Sequence, residues 1–128
     1  MTHPLIVDYA TRHRITLPGQ PFNRLTVIVD EKYRVHLHSA SDGTVVLSSK
    51  LTHLPPPGSQ RNTLLEALGR IATGTLMESS ASCAVDHRET ALWLQQMVPQ
   101  GSVVRMDDVV GRFVNDLSFW TSAIKRLQ

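Results

Sequence analysis

Residues 24–51 read RLTVIVDEKYRVHLHSASDGTVVLSSKL, and the alternation within them decides the fold. In the first run Leu25, Val27 and Val29 alternate with Thr26, Ile28 and Asp30, so one face of an extended segment is continuously apolar and the other is mixed. The second run is cleaner. Tyr33, Val35 and Leu37 fall on one side of the pleat and Arg34, His36 and His38 on the other, which describes a strand with one dry and one wet face. Asp30, Glu31 and Lys32 leave room only for a tight reversal, so the two runs make a hairpin. A polar tract, Ser39–Gly43, ends in Asp42-Gly43, a turn signal because glycine accepts positive φ, and Thr44–Leu47 supplies a third strand. The expected unit is an antiparallel meander.

Before the meander, Leu5, Ile6, Tyr9 and Ala10 recur at helical spacing, predicting a first helix within Pro4–Ile15 that stops before Pro18-Gly19. After it, Pro55-Pro56-Pro57-Gly58 cannot belong to a central strand, since each proline ring removes a ladder donor, and reads as a stiff connector. A second helix should follow, capped by Ser59 or Asn62, with Leu64, Leu65, Leu68, Ile71 and Ala72 on one stripe and Gly69 and Gly74 limiting its length. Strand-like alternation returns over Ala81–Asp86 and Thr90–Val98, joined by His87-Arg88-Glu89. In the second of these runs Leu92, Leu94 and Val98 take one face and Ala91, Trp93 and Met97 the other, so both faces need cover.

Pro99-Gln100-Gly101 ends the sheet. A last helix is expected from about Asp107 to Leu127, where Val109, Val110, Phe113, Leu117, Trp120, Ile124 and Leu127 keep a spacing of three to four residues. Asp107 and Asp108 lie where the helix dipole favours acids, and Lys125 and Arg126 where it favours bases. The order α-β-β-β-α-β-β-α predicts an α+β domain, helices laid on an antiparallel sheet.

With 128 residues the chain fits one domain, residues 1–128. Hydrophobic residues at 41% and charged residues at 19% describe a soluble globular chain, and no apolar run approaches the roughly 18 residues of a membrane span. Leu5–Val7 is far shorter than a signal-peptide core and is followed by Asp8, so an intracellular location is expected. One cysteine, Cys83, excludes an intramolecular disulfide and any multi-thiolate metal site, and reads as a small packed residue. The pI near 9.0 invites a nucleic-acid reading through Arg12, Arg14, Arg24 and Arg34. A net charge of only +2, with scattered basic residues, argues against a phosphate-tracking stripe.

Residues for catalysis are few. Neither Gly-x-Gly-x-x-Gly nor Gly-x-x-x-x-Gly-Lys-Ser/Thr occurs, so an ATP-driven mechanism has no visible seat. His36 and His38 share a strand face but lack a third ligand, and Asp86, His87 and Glu89 are explained by a loop between strands. Ser79, Ser80 and Ser82 have no Gly-x-Ser-x-Gly elbow around them. No metal, no cofactor and no enzymatic activity are expected; excess apolar surface points to binding.

The order of elements, together with the strand pair Leu25–Val29 and Tyr33–Leu37, the Asp42-Gly43-Thr44-Val45-Val46-Leu47 hairpin, the Leu54-Pro55 step into Leu64-Leu65-Glu66-Ala67-Leu68 and the closing Phe113–Trp120 helix, resembles the class I type III secretion chaperones, the Tir chaperone family of Gram-negative bacteria. The resemblance implies a homodimer of the bacterial cytoplasm without ATPase activity. It would hold the N-terminal chaperone-binding segment of one or more secreted effectors extended, and contact the ATPase of the secretion apparatus. It implies effector-facing patches from Leu5, Ile6, Tyr9, Val27, Val29, Val35, Leu37, Val45 and Leu47. It implies a dimer interface from Leu64, Leu65, Leu68, Ile71, Trp93 and Leu94.

Overall fold

The computed structural model describes residues 4–15, 24–75, 81–86, 88, 90–99, 101 and 104–127. Its elements follow the expected order: α1 (Pro4–Arg12), β1 (Arg24–Val29), β2 (Tyr33–Ser39), β3 (Val45–His53), α2 (Ser59–Thr75), β4 (Ser82–Val85), β5 (Ala91–Val98) and α3 (Met106–Leu127). The Pro18-Gly19 break, Ser79, Ser80, His87, Glu89 and Gln100 lie outside the described residues.

The strands form one antiparallel sheet in the order β1-β2-β3-β5-β4, so the last two strands enter in reverse and β1 and β4 are the edges. The β1–β2 reversal has positive φ at both Asp30 (55°) and Glu31 (56°), and the Lys32 amide donates to the Val29 carbonyl at 3.1 Å. That pattern is a type I′ turn, whose twist matches the flanking strands. Between β2 and β3, Gly43 takes φ 86° and the Thr44 amide donates to Asp42 Oδ1 at 3.0 Å.

Two boundaries differ from expectation. β3 continues to His53 instead of ending at Leu47, because Ser48, Ser49 and Lys50 pair with Gln95, Leu94 and Trp93 across the ladder. Their polarity hid the strand, while the Ser49 hydroxyl donates to the Arg34 carbonyl at 2.7 Å. α2 runs through Gly69 and Gly74 to Thr75, since a glycine lowers helix propensity by only about 1 kcal/mol. α1 ends at Arg12, within the expected span. The Ile15 amide reaches the Ala10 carbonyl at 2.8 Å, the Arg14 amide reaches Thr11 at 3.3 Å, and Arg14 sits at φ 54°, which is a Schellman cap.

One face of the sheet builds the core. Leu25, Val27, Val35, Leu37, Val45, Leu47, Leu92, Leu94 and Val98 pack with Ile6, Tyr9 and Ala10 of α1, Leu64 and Leu68 of α2, and the stripe from Met106 to Ile124 of α3. Phe113, Val35, Leu37, Val45, Leu47 and Leu94 are fully sealed. At about 1.5–3 kcal/mol per buried large apolar side chain, this cluster dominates the stability.

Candidate interaction surfaces

Side chains that alternate with the core residues form the opposite face of the sheet. The register places Arg24 beside His38, His38 beside Val46, and Val46 beside Met97. The next row carries Thr26, His36, Ser48, Gln95 and Ser82. Ile28 and Arg34 pair in a third row, and Lys50 pairs with Trp93. None of these residues belongs to the core cluster. Ile28 and Met97 are 64% and 62% exposed, a large exposure for apolar strand residues.

Trp93 is half-buried on this outer face, its ring 5.9 Å from that of His36. Its indole Nε1 is buried without a hydrogen-bond partner among the described residues. Burial, followed by the charges of Arg24, Arg34 and His38, holds His36 below the usual histidine range; burial and Arg24 do the same for His38. The Thr26 hydroxyl and His36 Nδ1 are 2.8 Å apart.

The helix side presents a second surface. Leu5 is half-buried and Val7 36% exposed on α1, which packs against α3. The α1 terminus is tied down by charge: Arg12 donates to Asp8 at 2.6 Å and to Asp107 of α3 at 2.5 Å, and His13 contacts the same Asp107 carboxylate. That arrangement holds the Asp107 carboxyl below its ordinary value, chiefly through the His13 hydrogen bond and then the charges of His13, Arg12 and Arg105. His13 also stacks against Tyr9 with ring centroids 4.3 Å apart.

A third surface follows α2. Leu64 and Leu68 turn into the core, whereas Leu65, Ile71 and Ala72 on the same stripe are only partly covered. An open groove of about 420 Å³ lies between α2 and the end of α3, bordered by Pro55, Thr63, Leu64, Ala67 and Leu127.

The residues expected at effector contacts therefore divide. Ile6, Tyr9, Val27, Val35, Leu37, Val45 and Leu47 are buried in the core, while Leu5 and Val29 keep part of their surface. Of the residues expected at a dimer interface, Leu64, Leu68 and Leu94 are buried; Leu65, Ile71 and Trp93 are not fully covered. Strand alternation cannot make this division, because core and docking surface are both apolar.

Chemical groups are sparse. Among the described residues no group of three His, Cys, Asp or Glu side chains gathers. Burial pushes the Cys83 thiol up to about 11, which keeps it protonated at neutral pH. No helix among the described residues is long and apolar enough to cross a membrane.

The profile of the Tir chaperone protein (CesT) family matches residues 13–121. No curated protein matches the sequence. Among solved structures, a chain of the HopA1–SchA chaperone–effector complex superimposes with TM-score 0.66 at 14% identity, covering 92% of this chain and 91% of that one. A chain of the ExsC–ExsE complex gives 0.65 at 13% identity, covering 94% and 90%. A chain of the heterodimeric ExoU–SpcU complex from the type III secretion system of Pseudomonas aeruginosa gives 0.64 at 15% identity, covering 91% and 94%. At such identities the structural likeness is one of fold.

Proposed function

The chain belongs to the Tir chaperone protein family, and from that premise we propose that it is a type III secretion chaperone. It binds the N-terminal chaperone-binding segment of one or more effectors and keeps that segment extended and secretion-competent without ATP hydrolysis. The observation that carries this reading is the edge position of β1, which pairs with β2 alone among the described strands, in a sheet whose fold is shared with chains from chaperone–effector complexes. An unfolded effector segment can add a strand there through main-chain hydrogen bonds and set alternate apolar side chains against the surface. Val29 and Ile28 of β1, together with the partly open Leu5 and Val7 of α1, are the apolar groups proposed for this contact; the sealed residues form the rigid wall behind.

The working form in this reading is a homodimer in the bacterial cytoplasm. Leu65 and Ile71 of α2 and Trp93 of β5 are the partly covered groups that a second copy would bury, and the secretion-apparatus ATPase is a further partner. The test is co-expression with secreted proteins of the same bacterium, followed by light scattering and hydrogen exchange on the purified complex. The expected outcome is a mass of two chaperone chains and one effector, the effector protected only over an N-terminal segment, unchanged by ATP. A monomer that retains no secreted protein, or one whose retained protein is bound equally well by the Leu5→Asp variant, counts against it.

A further inference from the structure

All six basic residues carried by the five strands, Arg24, Arg34, His36, His38, Lys50 and His53, fall on the outer face, and no strand contains Asp or Glu. Arg24, Arg34 and Lys50 are exposed. Of the carboxylates at the rim, Asp86 accepts from the Thr90 amide at 2.8 Å and the Ala91 amide at 3.2 Å, and Asp42 accepts from the Thr44 amide, while Asp30 and Glu31 lie exposed in the β1–β2 turn. An open cleft of about 520 Å³ is bordered on this face by Arg34, His36, Lys50 and Trp93, and passes between β2 and β3 to Leu117 and Thr121 of α3.

We propose that the β1–β3 part of this outer face, where the strands carry Arg24, Arg34 and Lys50 around His36 and His38 and the acid bordering the same hollow as Arg24, Asp86, is held by the Thr90 and Ala91 amides, docks an extended acidic polypeptide segment. Charge selects the occupant. A second copy centred on the β1–β3 part by a two-fold axis would bring cations together, which costs rather than stabilises, so the proposed self-contact of Trp93 falls on the β5 side of the face. Nucleic acid is a poorer fit, because three permanent cations fall short of the roughly 6–10 phosphate contacts of a typical binding face. An extended chain repeats same-side residues about every 6.8 Å and lies on a sheet whose strands are about 4.8 Å apart, so alternate carboxylates can meet the cations of neighbouring strands. Ile28 and Met97 at the margins supply apolar contact for the residues between. The assignment stands on the charge of this face and is independent of the chaperone reading.

The test uses the full chain and a fluorescein-labelled peptide of about a dozen residues, alternating Glu and Thr to match the strand repeat, with the Gln-for-Glu peptide as control. Fluorescence anisotropy should show binding of the Glu peptide alone. The Arg34→Glu/Lys50→Glu double variant should bind about tenfold or more weakly. Arg112→Glu, an exposed change on α3, should bind as the parent does. Should the double variant fail to fold by circular dichroism, Arg24→Gln takes its place, with a loss of about threefold expected. Equal binding of the Glu and Gln peptides, an equal loss from Arg112→Glu, or unchanged binding by Arg24→Gln would each overturn the proposal. A single-stranded oligonucleotide bound more tightly than the Glu peptide through Arg34 and Lys50 would also overturn it, in favour of nucleic acid.

Discussion

Arg12 at the end of α1 and Asp107 in the first turn of α3 lie 95 positions apart in sequence and 2.5 Å apart in space. The contact joins the C-terminal end of one helix, where a cation is favoured, to the N-terminal end of another, where an anion is favoured. It therefore orients α1 across the core without using apolar area, and it leaves the outer side of α1 open.

Replacing Asp107 with Asn should loosen α1 selectively. Amide hydrogen exchange over residues 5–12 should accelerate while α3 beyond its first turn and the sheet stay protected. The carboxyl is held below its ordinary value, so it contributes stability above the usual carboxylate range that is lost as pH falls through the depressed value. The variant should accordingly show a shallower loss of stability below about pH 4 than the parent.

The histidines act at a different pH and with the opposite group type. His36 and His38 titrate below the usual histidine value in the folded chain, so the unfolded chain binds more protons between the two values. Stability should fall as pH drops below about 6.5, and the His36→Gln/His38→Gln variant should flatten that fall in urea titrations between about pH 7 and 5.

Three non-glycine residues among those described hold left-handed backbone: Arg14 at φ 54° in the α1 cap, and Asp30 at φ 55° and Glu31 at φ 56° in the first hairpin. Arg14→Gly and Glu31→Gly should each raise stability by about 0.5–1 kcal/mol, the relief of Cβ strain exceeding the added chain entropy. The check is a higher urea midpoint at unchanged slope.

On α2, neighbouring positions of one stripe should separate folding from self-association. Leu68 is only 4% exposed, so Leu68→Glu should unfold the chain by burying an unpaired carboxylate. Ile71→Glu and Trp93→Ala, at partly covered sites, should leave the far-ultraviolet circular dichroism intact and shift sedimentation from dimer toward monomer. Dimers that persist in both variants would remove these groups from the proposed interface.

Period-two alternation over Arg24–Leu47 and the apolar stripe of α3 were enough to place the elements in order. Local backbone geometry and the need to bury one face constrain both, and each is written in consecutive residues. Turn chemistry was readable where it rests on Gly43, and hidden where Arg14 and Glu31 accept left-handed backbone that their side chains disfavour. Polar Ser48, Ser49 and Lys50 concealed the second half of β3, which the ladder with β5 holds in place.

Alternation assigns residues to faces, but only the assembled molecule decides which face is covered. Val35 and Leu37 could be read as docking groups until α1 and α3 closed over them. The placement of β5 between β3 and β4 likewise depends on long-range pairing that no local window contains. The same packing turned Arg24, Arg34 and Lys50, scattered along the chain, into one cationic surface, because a sheet brings side chains of the same parity together from distant positions.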